Sequence, residues 1–210
     1  KKAEWGRQMK DEISRRQQEM LDREEINRVL LRYCRAINRL DVDLLKSVFH
    51  PDATSQDLGE PCNAHDWADR VIPVLSTLFA ATLHSFTNLD MVVDGDRAVS
   101  ESHYTAFHRV VADRKTVAQL FGEDYAASTV ADGDGQSSHD YVSRGRYLHR
   151  WERLQGEWRV QERVETIEFG QFGPATCGGQ GSIIGAMPSL ARRDRTDPVY
   201  ALLASVGSGA

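Results

Sequence analysis

Two side chains suited to proton transfer stand out in this chain, a histidine and an aspartate that precedes it. His84 lies in residues 81–89, where the pattern changes to the period of two that is typical of a strand. Asp41 lies upstream, on the continuation of an apolar helical stripe. A carboxylate that contacts an imidazole orients and charges it, and the imidazole can then take a proton from a substrate. The two residues are therefore predicted to form a general base and its positioning carboxylate.

The helix expected to carry the aspartate begins at Asp22, the first residue of an Asp-x-x-Glu capping box. Tyr33, Ile37 and Asp41 follow at helical spacing and share one face. The Tyr33 hydroxyl on that face is expected to donate a hydrogen bond to substrate. Asp41 has a second interpretation, because aspartate is also a favoured N-cap and a short helix is predicted at 44–49.

The rest of the pattern predicts one more helix and then a sheet. The third helix is expected at 64–78, and strands are expected at 83–93, 98–111, 141–154 and 158–169, with turns at 94–96 and 155–157. Residues 113–139 form a long connection, for which a pocket lid and a mobile decoration both remain open. Helices followed by long antiparallel strands imply an α+β domain, with the helices on one face of a curved sheet and a pocket at their junction.

The period of the strands predicts which side chains face this pocket. Tyr104 shares a face with His108, and Arg163 shares one with Ile167. Arg163 is expected to polarise a leaving group or a developing oxyanion; a salt bridge to Glu101 or Glu165 is the alternative. The expected substrate contacts are Ile37, Phe79, Phe86, Asn88, Tyr104, His108, Ser143, Tyr147, His149 and Ile167.

Composition excludes several classes of function. The 26 basic and 31 acidic residues give a net charge of −5, which argues against a general nucleic-acid role. No apolar run approaches the ~20 residues that span a bilayer. The three cysteines, Cys34, Cys62 and Cys177, are far apart, which indicates reduced thiols in a cytoplasmic protein. The chain has no local metal-ligand spacing, phosphate loop or dinucleotide fingerprint, so we expect no metal and no cofactor.

Several short motifs, in their order and spacing, resemble the SnoaL-like branch of the nuclear transport factor 2-like superfamily. They run through residues 25–26, 33–41, 45–53, 84–88, 94–96, 145–147, 156–160 and 193–200. The resemblance covers roughly residues 22–200. It implies a cone-shaped α+β fold with N-terminal helices packed on a curved antiparallel sheet around a pocket.

The resemblance also implies chemistry, because cofactor-free lyases of this group use a helix Asp and a strand His as a dyad. By similarity to the hexachlorocyclohexane dehydrochlorinases, Asp41 and His84 are taken as these two residues. Two positions depart from the usual pattern. Many relatives carry a further Asp five residues after the helix tyrosine, where this chain has Asn38, which argues against a dehydratase of the bile-acid type. His149 replaces another frequent Asp and is expected to tune substrate choice.

These observations predict a cofactor-independent lyase in aromatic catabolism, acting on a small, hydrophobic, aromatic molecule. The elimination would release water, halide, or formaldehyde by retro-aldol-like deformylation of lignin-derived diarylpropane-type compounds. A polyketide cyclase or isomerase of the same fold and a non-catalytic small-molecule-binding module are the alternatives. We expect a polar helical arm at 1–21, the catalytic domain at 22–169 and a Gly-rich extension at 170–210. The protein is expected to bind no nucleic acid or membrane and to form a homo-oligomer, with a trimer favoured over a dimer.

Overall fold

The computed structural model describes residues 1–57, 59–130, 138–175, 183, 186 and 189–207. Its helices are α1 (Lys2–Asn38), α2 (Val42–Ser47), α3 (Ala64–Leu78), α4 (Arg114–Phe121), α5 (Glu123–Thr129) and α6 (Pro198–Ala204). Its strands are β1 (Phe49–Gln56), β2 (Cys62–Asn63), β3 (Phe79–Asp94), β4 (Arg97–Val110), β5 (His139–Leu154) and β6 (Glu157–Pro174). No helix in these ranges is long and apolar enough to cross a membrane.

The six strands form one sheet in the order β2-β1-β6-β5-β4-β3. All neighbouring strands are antiparallel except β1 and β6, which are parallel. Both predicted hairpin turns are present, at Gly95 and at Gln155–Gly156, where the backbone has positive φ. The predicted fold class, helices on one face of a curved antiparallel sheet, is confirmed.

Register shifts interrupt the pairing of β3 with β4 and of β5 with β6, and shifts of this kind bend and twist a sheet. One of them lies between Arg144 and Gly145. There the β6 backbone comes so close that a Cβ on Gly145 would lie 1.9 Å from the Thr166 carbonyl oxygen. The glycine of the Gly-Arg-Tyr motif is therefore required for the two strands to pair at this bend.

The first helix begins earlier than the capping box indicates. α1 is continuous from Lys2, so Asp22 is an interior residue and not its N-cap. The Asp22 carboxylate instead accepts hydrogen bonds from Gln18, Trp158 and Arg153. The motif predicted a helix start because an aspartate at this spacing often accepts the free N–H groups of a helix end. In the structure, side chains of Gln18, Arg153 and Trp158 take that place.

Other elements were missed by the sequence pattern. β1 follows α2 and contains Pro51. The strand tolerates this proline because β1 pairs with β6 on one side and only with the two-residue β2 on the other. The connection predicted at 113–139 contains the helices α4 and α5. Residues 131–137, which belong to the same predicted loop, lie outside the described residues.

The core lies between the helices and the concave face of the sheet. The buried side of α1, with Ile26, Leu30, Tyr33 and Ile37, faces the same cluster as the buried side of α3. The aromatic rings of Tyr33, Phe49 and Trp67 are in contact there, and Tyr33 stacks on Trp67 with an interplanar angle of 7°. The helices thus close one side of a space whose other side is the sheet.

Candidate active site

A cavity of about 210 Å³ lies at this junction of helices and sheet. Tyr33 and Ile37 of α1 line it from the helical side, and His84 of β3 and Arg163 of β6 line it from the sheet. The remaining lining residues are Asp57, Trp67, Val71, Leu75, Ala106, His108, Tyr141, Ser143, Tyr147, Glu165 and Ile167. The wall therefore combines aromatic rings with a few ionisable groups, as expected of a small-molecule site.

The orientation of His84 is set by Asn38, the last residue of α1. The Asn38 Oδ1 atom accepts the His84 backbone N–H at 2.9 Å and lies 2.9 Å from Nδ1 of the ring. Because this oxygen is an acceptor, Nδ1 must carry the ring proton in the neutral imidazole. Nε2 is left with a lone pair, and no described residue hydrogen-bonds to it.

Burial keeps the two cavity-lining histidines neutral. Desolvation lowers the pKa of His84 to about 3, and the neighbouring His108 and Arg163 act in the same direction. Burial also lowers the pKa of His108 to about 4. The two rings are 5.3 Å apart, so a charge on either would be opposed by a charge on the other. His84 is therefore a hydrogen-bond acceptor with no carboxylate partner.

The predicted contact between Asp41 and His84 is wrong. α1 ends at Asn38, and the chain then turns through Leu40, which has a φ of 54°, so the helical face does not continue to Asp41. The Asp41 carboxylate instead caps α2 by accepting the Leu44 N–H at 3.1 Å, which confirms its alternative interpretation. It also accepts hydrogen bonds from the Tyr200 hydroxyl at 2.8 Å and from Arg195 at 3.1 Å.

Arg163 is 1% exposed and holds a second polar cluster in the cavity wall. It donates to Ser55 Oγ at 3.0 Å and to Glu165 at 2.8 Å, and it also contacts Asp57. Its guanidinium carbon lies 4.6 Å from the ring centres of Trp67 and Tyr147, within the range of cation–π attraction. The salt bridge to Glu165 that the sequence left open is therefore present, whereas Glu101 pairs with Arg146.

The other predicted contacts divide between the cavity and its surroundings. Besides Tyr33, His84 and Arg163, the cavity wall includes Ile37, His108, Ser143, Tyr147 and Ile167. Tyr104 lies behind this wall, stacked on Tyr147 and hydrogen-bonded to Ser143 Oγ at 2.9 Å. Phe79 packs against His108, with the two ring centres 4.6 Å apart.

Three predicted contacts lie in other surroundings. The Phe86 ring packs against Tyr33 and Tyr147. It also lines a separate groove, together with Asn88. His149 is buried against Tyr147 and Trp151. Within the cavity itself, the Tyr33 hydroxyl and His108 Nδ1 are buried and have no hydrogen-bond partner of good geometry among the described residues.

Sequence reasoning missed several residues of this site, and four of them bear on its chemistry. Asn38 was noted only as a departure from the family pattern, although that position is the one that contacts His84. Glu165 could have been found, because the period of two from Arg163 puts it on the same face. Trp67 was taken as helix core, and Asp57 follows a strand that the pattern did not predict.

Comparison with known proteins agrees with this architecture. A profile of the SnoaL-like domain matches residues 18–164 of the chain. A search among curated proteins gives no significant match.

Similar solved structures share the fold at low sequence identity. The Kfla4162 protein of Kribbella flavida is 21% identical, with a TM-score of 0.57, and the match covers 72% of this chain and 94% of that one. LinA is 18% identical, with a TM-score of 0.57 and coverage of 81% and 97%. A candidate scytalone dehydratase from Novosphingobium aromaticivorans is 15% identical, with a TM-score of 0.56 and coverage of 73% and 88%.

Proposed function

Because the chain belongs to the SnoaL-like domain family, we propose that it is a cofactor-independent lyase that acts on a small aromatic molecule. The cavity is lined by aromatic rings and is small, which suits a substrate of one ring with a short polar side chain. The hexachlorocyclohexane dehydrochlorinase and dehydratase names among the similar structures support an elimination. Water, halide and formaldehyde are the leaving groups to be distinguished.

The observation that carries the proposal is the hydrogen bond between Asn38 and His84. It holds the imidazole in the tautomer whose Nε2 lone pair is available to the cavity, which is the form that a general base requires. The Tyr33 hydroxyl and His108 Nδ1 are buried polar atoms without a hydrogen-bond partner of good geometry among the described residues, and a polar ligand in the cavity would provide one. Arg163, which was expected to polarise the leaving group, is paired with Asp57 and Glu165, so it would act on a ligand through this cluster and not as a free positive charge.

The test is turnover of a panel of aryl-substituted β-hydroxy ketones, aryl diols and halogenated rings, followed by mass spectrometry of the products. We expect His84→Ala to lower the rate by about 100-fold or more, since positioned acid–base groups contribute roughly that much. Asp41→Asn is the control, because Asp41 caps α2 and should leave the rate of the folded protein unchanged. Turnover that survives His84→Ala would contradict the proposal.

A non-catalytic binding module is the second candidate, and one observation favours it. The ring of His84 faces an amide and has no carboxylate to stabilise an imidazolium, so it is a weak base. If no member of the panel is converted at any pH but calorimetry shows that ligands bind, this second function is the correct one.

We further propose that the protein forms a homotrimer through the outer face of the sheet. Val92 of β3 and Val99 of β4 are register partners on that face and are 64% and 46% exposed. Leu83 on the same strand is 56% exposed. Apolar side chains grouped in this way favour association with a second surface.

A further inference from the structure

Two carboxylates in the cavity wall share one cation. Asp57 and Glu165 both bind the Arg163 guanidinium, whose other hydrogen-bond partner among the described residues is the neutral Ser55 hydroxyl. A single positive charge can compensate only one of these carboxylates, so a proton is readily held on the other. This cluster lies in the same cavity as His84 and is separate from the Asn38 contact.

Glu165 is the better placed of the two carboxyl groups to hold that proton. Its side chain is 15% exposed, compared with 29% for Asp57. Burial raises the pKa of Glu165; Arg163 opposes this shift and the Asp57 charge adds to it. The neighbouring Tyr104 hydroxyl acts with Arg163 to lower this pKa, but burial and the Asp57 charge outweigh them. A carboxylic acid in these surroundings can deliver its proton to a ligand in the cavity.

His84 and Glu165 thus offer opposite chemistry to one ligand. The imidazole is a neutral acceptor on β3, and the carboxyl group is a donor on β6, with β4 and β5 between them in the curved sheet. Groups whose pKa values are displaced in opposite directions by their surroundings are the usual components of an acid–base pair.

We propose that Glu165 is a catalytic residue, the proton donor to the leaving group of the elimination for which His84 is the base. This inference rests on the proposed function. His84 Nε2 takes the proton from the carbon next to a carbonyl group, and the electrons of that C–H bond form the C=C double bond. The C–O bond at the β-carbon breaks, its oxygen takes the proton of Glu165, and water leaves. Return of the proton from His84 to Glu165 through solvent completes the cycle.

The leaving group follows from this assignment. A hydroxyl group leaves poorly unless it is protonated, whereas a chloride leaves without a proton. A cavity with a carboxylic acid donor is therefore suited to a β-hydroxy carbonyl substrate. The same donor does not accelerate elimination from the corresponding β-chloro carbonyl compound.

The experiment compares β-hydroxypropiophenone with β-chloropropiophenone, since both give phenyl vinyl ketone by elimination. We expect Glu165→Gln to lower the enzymatic rate on the hydroxy ketone by about 100-fold and the rate on the chloro ketone by less than about threefold. Glu168→Gln is the matched control on the same strand, because Glu168 is 54% exposed and pairs with Arg146 on the outer face. Thermal unfolding of each variant reports whether it is folded.

The pH dependence of the rate tests whether Glu165 transfers a proton, because a purely structural role would not change this dependence. The rate on the hydroxy ketone should fall as the pH rises through the pKa of Glu165, and this alkaline limb should be absent in Glu165→Gln. Asp57→Asn should move the limb to lower pH, because removal of the neighbouring negative charge makes Glu165 easier to ionise. An unmoved limb in these variants would overturn the assignment.

The outcomes separate this inference from the function on which it rests. Equal losses on both substrates in Glu165→Gln, or no loss on either, overturn only the role of Glu165. Acetophenone with formaldehyde as the products also overturns it, since the hydroxyl oxygen is then retained in the formaldehyde. Failure of the wild-type protein to convert either ketone overturns the role of Glu165 in dehydration, whereas the proposed function is overturned only if the wider panel is also left unconverted.

Discussion

His84 and Asn38 meet at the edge of the cavity, and the amide at position 38 determines how the imidazole behaves. An amide oxygen fixes the ring tautomer as firmly as a carboxylate does, but it adds no negative charge. Desolvation therefore acts unopposed by any anion and lowers the pKa of His84 to about 3. A carboxylate at the same place would stabilise the imidazolium and make Nε2 a stronger base.

We expect Asn38→Asp to raise the pKa of His84 and to increase the rate of proton abstraction on the order of tenfold. The wild-type ring should stay neutral down to about pH 3, so its activity falls only near that pH. In the variant, this loss of activity in acid should occur at a higher pH. NMR titration of the histidine ring measures the shift directly.

Gln17→Glu is the matched control for this substitution. It adds the same charge to an exposed position of α1, about 30 Å along the helix from Asn38. The interpretation of the Asn38 contact fails if both variants move the His84 pKa equally, or if neither moves it.

At the scale of elements, the end of α1 decides which residue reaches the site. The helix stops at Asn38, and the next residues turn into α2, so Asp41 points to the N-terminus of α2 and to the C-terminal segment. Burial opposes ionisation of Asp41, but hydrogen bonds from Leu44, Tyr200 and Arg195 outweigh it and lower the pKa of the carboxyl group. The Asp41 side chain thus links α2 to α6 and to the segment that precedes α6.

We expect Asp41→Ala to lower the free energy of unfolding by about 1–2 kcal/mol, since it removes the cap of α2 and the partner of Tyr200. Asp41→Asn should cost less, because asparagine is an equally good N-cap and Arg195 is largely exposed. Urea denaturation measures both values. Asp43→Ala, an exposed acidic residue of the same helix, is the control and should change the stability by less than about 0.5 kcal/mol.

Because the Asp41 pKa is lowered in the folded state, its contribution is present above the unfolded value of 3.8 and is lost as the pH falls. The difference between wild type and Asp41→Ala should therefore shrink in acid. A difference that stays constant from neutral pH to pH 3 would contradict the charged role of this side chain.

At the scale of the whole molecule, the two faces of the sheet differ in what covers them. The concave face packs against α1 and α3, whereas valine and leucine side chains on the other face remain exposed. If that face is the interface of the proposed trimer, a charge introduced there must be buried without a partner, which is costly.

We expect light scattering to give three times the chain mass of 23.6 kDa for the wild type and a lower mass for Val92→Glu. Val74→Glu is the control, since Val74 is 48% exposed on α3, away from this face. A monomeric wild type, or a trimer that persists in Val92→Glu, would count against the proposed interface.

The sequence by itself determined the elements in which a regular hydrophobic period continues over many residues. The third helix at 64–78, the four long strands and both hairpin turns follow from local patterns, because alternation and turn chemistry depend only on near neighbours. The concave positions of His108, Ser143, Tyr147 and Arg163 follow from the same alternation, whereas His84 was assigned to the site by the family resemblance. The family resemblance added the architecture around them.

Only the tertiary structure decided which of these side chains meet. The partner of His84 depends on where α1 ends, and the pairing of Arg163 with Asp57 depends on a strand hydrogen-bonded to β6 from a distant part of the chain. A helical face can be extrapolated only while the helix continues, and the short β1 has no local signal strong enough to predict it. Contacts between residues far apart in sequence are set by packing, which the local pattern does not encode.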